Sequence, residues 1–478
     1  MIFMKEVINW LTADFGHFLW SYVLIIMLIG LGLYFTVRTK FVQFRMIGEM
    51  LRLLGEGAVN KKGVSSFQAF CISTASRVGT GNLAGVAIAI SLGGPGAVFW
   101  MWLIALIGSA SAFVESTLAQ IYKVEDKKTG TFRGGPAYYM EKALNARWMG
   151  VLFAMMISVT FGLAFNSVQA NTVTSAFHHA FGFDMHWTGL GITAVTAFII
   201  FGGIKRIAKA AEWMVPPMAG MYILLAVYVI TKNFGELPHV FSLIFQSAFG
   251  LDEAVGGGLG AAMMLGIKRG LFSNEAGMGS APNAAATADV SHPVKQGLIQ
   301  SLGVFVDTLV ICSCTAFIIL LSGVYTSAES NGIVLTQSAL NAEFGPWAAV
   351  FIAILILLFA FSSIVANYYY GESNIEFIKP GRVWLTIYRL AVIGMVAFGS
   401  LASLDTVWSL ADVSMGIMAV INLVAIALLG KIAFAALHDY RKQKKAGKNP
   451  VFSVSTIDGL KNTECWEAKE QPALKKEA

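Results

Sequence analysis

The sequence predicts an all-α protein that crosses a membrane many times, with about eleven transmembrane helices. Charged residues make up 13% of the chain, against about a quarter in a soluble domain, and the mean hydropathy is +0.66. Apolar runs of about 20 residues, the length that crosses a bilayer, recur along the chain. Basic residues fall mostly in alternate connecting segments. These three observations exclude a soluble globular protein.

The first apolar run, Phe18 to Val37, is longer than the roughly 7 to 15 residues of a signal-peptide core, so we expect a retained helix. The other predicted spans cover residues 67–92, 97–121, 149–177, 187–203, 212–231, 256–286, 297–322, 347–371, 384–402 and 407–437. Residues 41–54 carry apolar side chains at helical spacing and are predicted to lie on the membrane surface. Residues 237–249 and 333–344 are predicted to form short helices near an entrance, with solvated loops as the alternative for all three segments.

The distribution of Lys and Arg predicts the orientation, because cytoplasmic loops carry the excess of basic residues. The segments after odd-numbered spans hold Arg38, Lys40, Arg45, Arg52, Lys61, Lys62, Lys123, Lys127, Lys128, Arg133, Lys142, Arg147, Lys205, Arg206, Lys209, Lys295, Lys379 and Arg382. The opposite side keeps Lys5 and Lys232 and carries Asp252, Glu253, Glu329 and Glu343. We therefore expect a cytoplasmic (inner) membrane protein with its N-terminus outside and its C-terminus in the cytoplasm.

Two stretches inside apolar spans share one pattern: Arg, four residues, then Asn-x-Ala-Gly. They run from Arg77 to Gly85 and from Arg269 to Gly277. A glycine-interrupted helix at bilayer depth leaves backbone groups unpaired, which is tolerated only where they face protein, water or a ligand. Close helix packing through small residues is the alternative. We predict that both helices unwind and that a ligand binds between them.

The two stretches also predict an internal repeat. They are 192 residues apart (269 − 77), and five spans separate them. An odd number of spans reverses the direction of the chain, so spans 2–6 and 7–11 should be inverted copies. The predicted division is 1–66, an extra transmembrane helix and an interfacial helix; 67–235, the first repeat; 236–440, the second repeat with an outer entrance helix; and 441–478, a basic cytoplasmic tail.

The chemistry of an unwound helix favours Na⁺ and an amino acid. Its carbonyl oxygens suit a cation, and the N-terminus of the following half-helix suits a carboxylate. No Lys-Ser or Lys-Thr follows Gly79-Thr80-Gly81-Asn82 as a phosphate loop requires. No catalytic or metal-binding constellation is evident, so we expect neither an enzyme nor a resident cofactor. The expected partners are a small neutral amino acid, Na⁺ and the lipid bilayer, without nucleic acid; the oligomeric state is left open.

Four motifs add a family resemblance. They are Val78–Ala87, Gly93–Trp102, Arg133–Pro136 and, the most specific, Phe272–Pro282. In this order they resemble the alanine/glycine:cation symporters, also called sodium:alanine symporters, over nearly the whole chain. The resemblance implies the leucine-transporter fold, with two inverted repeats of five helices preceded here by one extra helix. It also implies a secondary active symporter that couples inward Na⁺ flow to uptake of alanine, glycine or a similar amino acid by alternating access.

The resemblance implies a site for each transported species. Na⁺ would lie between the carbonyls of Ala75, Val78 and Phe359 and the hydroxyls of Ser362 and Ser363, although both serines could instead bond back into their own helix. The amino acid would lie beside the ion, with its carboxylate on the first break and its ammonium group on carbonyls of the second. The candidate substrate-binding residues are Ser73, Arg77, Gly79, Thr80, Gly81, Gln169, Gly270, Ser273, Asn274 and Asn367.

Charged residues inside spans are candidates for gating or coupling, because charge at bilayer depth is costly. Arg269, Glu275 and Asp307 are chosen for this role; a purely structural pair of Glu275 with Arg269 is the alternative. Arg77 is expected to bind the substrate carboxylate or to pair with an acidic residue. Asn367 stands where many family members carry Trp, so a larger substrate such as glutamine is an alternative. Coupling to H⁺ in place of Na⁺ is another alternative. An ion channel is the alternative from a different class of protein.

Overall fold

The computed structural model describes residues 14–59, 64–126, 130–201, 204–250, 258–326 and 331–466, without the side chains of 204–211. The described chain is predominantly helical, as the sequence predicts. Its helices are α1 Gly16–Arg38, α2 Val42–Arg45, α3 Ile47–Leu54, α4 Ser66–Arg77, α5 Gly81–Gly93, α6 Ala97–Ile121, α7 Pro136–Leu144, α8 Arg147–Phe181, α9 Met185–Ile200, α10 Ile204–Lys232, α11 Leu237–Ala248, α12 Leu259–Asn274, α13 Ala281–Thr287, α14 Pro293–Ser322, α15 Ile333–Phe344, α16 Trp347–Ile378, α17 Arg382–Leu401 and α18 Leu404–Lys445. Single 3₁₀ turns cover Phe234–Glu236, Val324–Thr326 and Val454–Thr456.

Eight of the described helices are long and apolar enough to cross a membrane. They are α1, α6, α8, the 212–232 part of α10, α14, α16, α17 and α18, and the apolar helices α5 and α9 are shorter. The predicted second and seventh spans are each divided into two half-helices, α4 with α5 and α12 with α13. The total of eleven spans stays a prediction, because that total counts each divided helix as one span.

Besides its helices, the described chain contains a small β-hairpin, which leaves the predicted all-α class unchanged. Strand β1, Val124–Asp126, pairs antiparallel with strand β2, Thr131–Arg133. Gly130 precedes β2 with a φ of 65°, a left-handed conformation that glycine adopts without a steric penalty. The hairpin lies outside the spans, where a strand pair can satisfy its edges with water.

The two divided helices run antiparallel beside each other. The start of α4 adjoins the end of α13, where Val64 forms a β-bridge with Ala288. At the opposite end, Gly93 of α5 packs against Leu265 of α12. A capping box starts α4: Ser65 accepts the N–H of Gln68, whose side chain accepts the N–H of Ser65. The opposed directions of these matching helices agree with the predicted inverted repeat.

The segment predicted to lie on the membrane surface contains two short helices. Met46, with φ −114° and ψ 18°, separates α2 from α3. Phe41, Phe44 and Leu51 expose 49%, 43% and 57% of their surface. Apolar side chains exposed on short helices next to a membrane span suit the headgroup boundary of a bilayer.

The domain boundaries predicted from the sequence remain predictions, and the last of them falls well inside a helix. Helix α18 continues to Lys445, past the boundary at 440, because nothing between these positions ends a helix. The chain after α18 packs on the protein up to Trp466, whose indole N–H donates to the carbonyl of Gln120 at 2.8 Å. Phe452 N–H donates to the carbonyl of Ser291 at 2.9 Å. The tail is therefore packed in its described part, and residues 467–478 lie outside it.

Most of the described basic residues gather at one end of the helices, which we call the basic side. It contains Arg38, Lys40, Arg45, Arg52, Lys123, Arg133, Lys142, Arg147, Lys295, Lys379, Arg382, Arg441, Lys442, Lys444, Lys445, Lys448 and Lys461. Lys232, which pairs with Glu343 at 3.0 Å, lies at the other end. The charges at Lys5, Lys61, Lys62, Lys127, Lys128, Asp252, Glu253 and Glu329, and the side chains of Lys205, Arg206 and Lys209, lie outside the described residues.

A buried histidine on the basic side predicts a loss of local stability at low pH. His292 Nε2 lies 3.2 Å from Asp439 Oδ2, and its Nδ1 accepts the N–H of Val294. Burial lowers the pKa of His292 from 6.5 to about 4. Between these values the unfolded state binds more protons than the folded state, so stability decreases as the pH falls from about 6.5 to about 4.

Hydrogen exchange measures this effect. After correction for intrinsic rates, the amide of Phe452, which lies beside His292, should exchange faster at pH 5 than at pH 7. His292→Gln should remove the difference between the two pH values. Equal pH dependence in both proteins would contradict the assignment to His292.

Candidate functional site

The first break lies between α4 and α5. Val78 leaves the helical conformation with φ −79° and ψ 94°. The N–H of Gly79 donates to Asn82 Oδ1 at 2.9 Å, and the N–H of Thr80 donates to Gln169 Oε1 at 3.2 Å. Thr80 Oγ1 is buried and has no hydrogen-bond partner among the described residues. The break therefore presents an unpaired hydroxyl beside the N-terminus of α5.

Oxygen atoms from α4 and α16 converge at this break. Ser363 Oγ lies 2.9 Å from the carbonyl oxygen of Ala75, 3.4 Å from that of Val78 and 3.0 Å from that of Phe359. Ser362 Oγ lies 2.9 Å from the same carbonyl of Phe359. All five residues are buried. A cluster of neutral oxygens suits a hard cation of low charge.

The second break lies near the end of the predicted stretch from Arg269 to Gly277. Helix α12 continues to Asn274, and Glu275 ends it in a left-handed conformation, with φ 58°. The N–H of Glu275 donates to the carbonyl of Leu271 at 3.0 Å. Gly270 therefore lies within an intact helix, and its Cα faces Ile104 of α6. This corrects the expectation that the carbonyl of Gly270 is open to the substrate, because the helix continues to Asn274.

Glu275 joins the two breaks through hydroxyl groups. Its carboxylate oxygens lie 2.6 Å from Ser76 Oγ and 2.6 Å from Ser280 Oγ. Ser76 Oγ also lies 2.8 Å from Asn367 Oδ1, and Asn367 Nδ2 donates to Asn166 Oδ1 at 3.1 Å. Asn367 is thus placed at the first break, on the same helix as the two serines of the oxygen cluster.

Asp307 on α14 binds side chains from both breaks. Asn82 Nδ2 donates to Asp307 Oδ1 at 2.7 Å, and Ser273 Oγ donates to Asp307 Oδ2 at 2.8 Å. Thr308 Oγ1 lies 3.0 Å from the same carboxylate and accepts from Asn274 Nδ2 at 3.2 Å. This network connects α5, α12 and α14 at the centre of the protein.

Arg77 is 2% exposed and extends toward α14. Its Nη1 lies 3.4 Å from both the carbonyl and the side-chain oxygen of Gln300. Its Nε and Nη2 have no hydrogen-bond partner among the described residues. Glu275 and Asp307 attract this guanidinium electrostatically. The structure therefore places Arg77 against α14, with Gln300 as its hydrogen-bond partner and no carboxylate within ion-pair distance among the described residues.

Arg269 pairs with α18 rather than with Glu275. Arg269 Nη2 lies 2.6 Å from Asp412 Oδ2, and its guanidinium carbon lies 4.3 Å from the centre of the Trp408 ring. The ring centre of Trp408 lies 4.6 Å from that of Phe272, next to the break. The alternative of a structural pair between Arg269 and Glu275 is wrong. The Arg269 and Asp412 pair, with Trp408, lies on the side of the breaks away from the basic side.

Replacing Asp412 with Asn should both reduce transport and destabilise the protein. It would leave Arg269 buried without a carboxylate, and removing one partner of a buried ion pair costs about 3–5 kcal/mol. We expect uptake to fall about 10-fold or more and the melting temperature of the purified protein to decrease. Asp412→Glu should recover part of the uptake and part of the stability. Glu343→Gln, which breaks the partly exposed pair with Lys232, is the control. Wild-type uptake and melting in Asp412→Asn would contradict the assignment.

The side chain of Ser73, a candidate substrate-binding residue, bonds within its own helix. Ser73 Oγ donates to the carbonyl of Phe70 in its own helix at 2.9 Å. Conversely, sequence reasoning missed several residues that the structure brings to the site. Asn82 belongs to the repeated Asn-x-Ala-Gly pattern and Ser76 to the polar run before it, so both had a sequence signal. Asn166 and Trp408 had none, because only the packing of distant helices brings them close.

The two antiparallel divided helices, the oxygen cluster and the buried carboxylates define a secondary transporter built from inverted repeats. The fold is similar to the crystal structure of MhsT in complex with L-phenylalanine, with a TM-score of 0.53, 15% identity, and coverage of 84% of this chain and 95% of that chain. The model of the sodium:alanine symporter family matches residues 4–454, and the chain belongs to this family.

Two relatives from Bacillus subtilis (strain 168) support this membership. The probable sodium/glutamine symporter GlnT is 57% identical, over 97% of each chain. The amino-acid carrier protein AlsT is 56% identical, over 98% of this chain and 100% of the relative. The family and the leucine-transporter fold predicted from the sequence are confirmed. The protein is a membrane symporter of amino acids and not an enzyme.

Proposed function

We propose that the protein couples inward Na⁺ flow to the uptake of a small neutral amino acid by alternating access. The observation that carries this proposal is the convergence of Ser363 Oγ with the carbonyls of Ala75 and Val78 at the first break. Na⁺ would replace the hydrogen bonds of Ser363 and draw the oxygens of α4 and α16 toward itself. Phe359 and Ser362 would complete the set of oxygen ligands. In this proposal Na⁺ is a transported ion and not a resident cofactor.

The amino acid would bind beside the ion, between the two breaks. Its carboxylate would accept hydrogen bonds from the unpaired hydroxyl of Thr80 and from the free N–H groups that begin α5 at Gly81. Its ammonium group would face the C-terminal end of α12 at Ser273 and Asn274, where the helix dipole favours positive charge. Gln169 orients the first break by accepting the N–H of Thr80.

Glutamine is a second candidate substrate. The polar side chain of Asn367 lies at the first break, and a side-chain amide in the substrate could hydrogen-bond to it. The relative GlnT, at 57% identity, is described as a probable sodium/glutamine symporter. Both observations favour a site that accepts a polar side chain in addition to alanine or glycine.

Uptake into proteoliposomes tests the proposal. An inward Na⁺ gradient should drive accumulation of labelled alanine or glutamine, and a proton gradient alone should not. Competition by the common amino acids then ranks the substrates. Accumulation driven by protons without Na⁺ would overturn the Na⁺ coupling, and conductance without substrate would indicate a channel.

Replacing Asn367 with Ala should reduce glutamine uptake more than alanine uptake. The variant removes a hydrogen-bonding amide worth about 1–2 kcal/mol to a polar substrate, which corresponds to about a 5- to 30-fold loss. The measurement is kcat/KM for each amino acid at saturating Na⁺. Asn171→Ala is the control, because Asn171 Nδ2 bonds only to carbonyls of Gly399 and Ala402 among the described residues. An equal loss for both substrates would assign Asn367 a structural role.

We propose that the basic side faces the cytoplasm. Basic residues are retained on the cytoplasmic side of membrane proteins, which places the C-terminus inside and the N-terminus outside. A fluorescent protein fused to the C-terminus should be fluorescent, and a periplasmic alkaline phosphatase fused there should be inactive. The reverse result would invert the orientation.

A further inference from the structure

A cavity of about 240 Å³ lies on the basic side, between the end of α1, the helix α2 and the last turns of α18. Its position separates it from the transport site, which lies between the two breaks. Five of the eight described residues that line it are basic: Lys40, Arg45, Arg441, Lys444 and Lys445. None of these eight residues is acidic.

Most of these charges lack an acidic partner in the part of the chain that the structure describes. Lys444 Nζ lies 3.1 Å from Glu49 Oε2, which neutralises one of them. Arg45 Nη1 donates to the carbonyl of Lys40 at 3.4 Å, a contact that leaves the charge of Arg45 in place. Within the described residues, Lys40, Arg441 and Lys445 form no ion pair. Four like charges around a small cavity repel one another, so an anion in the cavity would be bound favourably.

The cavity also lies where the apolar helix α1 ends, beside exposed apolar side chains. Helix α1 ends at Arg38, and the turn that follows places Lys40 and Phe41 in left-handed conformations, with φ 56° and 57°. This turn brings Lys40 to the cavity while the ring of Phe41 is 49% exposed. On the adjoining helices, Phe44 and Ile47 expose 43% and 39% of their surface. Apolar side chains beside basic ones are typical of a surface between acyl chains and phosphates.

We propose that this cavity binds the phosphodiester headgroup of an anionic phospholipid, with the acyl chains against Phe41, Phe44 and Ile47. The basic residues supply the charge, and the exposed apolar residues distinguish a lipid from a free phosphate ion. Helices α1 and α18 both end at the cavity, so a bound lipid holds the extra N-terminal helix to the last helix of the core. The proposal does not depend on the substrate or on Na⁺ coupling.

Binding of a short-chain lipid to the purified full-length protein tests the proposal. Dioctanoyl phosphatidylglycerol is titrated in a neutral detergent and followed by native mass spectrometry, with dioctanoyl phosphatidylcholine and inorganic phosphate as comparison ligands. The variant is Arg441→Gln combined with Lys445→Gln. Each basic residue near an anionic surface contributes about a 5-fold effect, so the double variant should raise Kd for phosphatidylglycerol about 30-fold.

A matched control separates this site from a general effect of charge. Lys379→Gln combined with Arg382→Gln removes the same charge from exposed positions on the same side, at the start of α17. The control should bind phosphatidylglycerol like the wild type. Unchanged binding in the Arg441 and Lys445 variant, an equal loss in the control, or equally tight binding of phosphatidylcholine would overturn the proposal. Competition by inorganic phosphate at the same affinity would also overturn it, in favour of a phosphate site.

Discussion

Replacing Ser363 with Ala is expected to raise the Na⁺ concentration that gives half-maximal uptake by about 10- to 100-fold. The hydroxyl of Ser363 is the atom on which the carbonyls of Ala75, Val78 and Phe359 converge. Losing one oxygen that contacts a charged ligand costs about 1.5–3 kcal/mol. Since the substrate site is otherwise intact, the maximal uptake rate at saturating Na⁺ should change much less. The measurement is the initial uptake rate over a range of Na⁺ concentrations.

A serine of similar burial provides the control for this prediction. Ser400 is buried in α17, and its Oγ donates to the carbonyl of Val396 at 2.9 Å. Ser400→Ala removes a buried hydroxyl without touching the oxygen cluster and should leave Na⁺ activation unchanged. Wild-type Na⁺ activation in Ser363→Ala would show that the ion binds elsewhere.

Replacing Gly79 with Ala is expected to reduce Na⁺-driven uptake about 100-fold or more. A Cβ atom added at Gly79 would lie 2.3 Å from Ser363 Oγ and 3.1 Å from Gln169 Oε1. Atoms do not approach this closely, so Ser363 would have to leave the carbonyls or α16 would have to move away from α4. Overpacking of this kind costs about 1–3 kcal/mol, and here the displaced atoms are those of the proposed ion site. The measurement combines uptake with stabilisation of the purified protein by Na⁺.

Gly220→Ala is the matched control, because a Cβ atom added there meets nothing within 4 Å among the described residues. It should transport normally and should be stabilised by Na⁺ like the wild type. If Gly79→Ala kept both the uptake and the stabilisation by Na⁺, the first break would not form the ion site.

The sequence alone was sufficient for much of the fold. Apolar runs separated by basic segments identified the helices, because a bilayer requires spans of a definite length. The repeated Asn-x-Ala-Gly pattern located both interruptions to within a few residues. The first interruption follows Arg77, where two glycines flank Thr80. The second falls near the end of the predicted stretch, because Gly270 packs closely on α6 within α12 and the helix ends only at Glu275.

Several features were beyond sequence reasoning for a physical reason. The hairpin after α6 has strands of only three residues, whose sequence signal is weaker than that of a span. Glu275 lies close to Arg269 in the sequence, and only the packing of α12 on α18 makes Asp412 its partner instead. Asn166 and Trp408 reach the site through distant helices, and no local pattern marks them.

The division between the two kinds of information follows from the range of the forces involved. Transmembrane helices, their order and the positions of their interruptions depend on local properties: hydropathy, helix propensity and the cost of unpaired backbone groups in lipid. The sequence determined these features by itself. The oxygen cluster at Ser363, the partners of Arg77 and Arg269, and the basic cavity at the ends of α1 and α18 depend on contacts between residues far apart in the chain. Only the tertiary structure decided them, because a side chain's partner depends on which helices pack together.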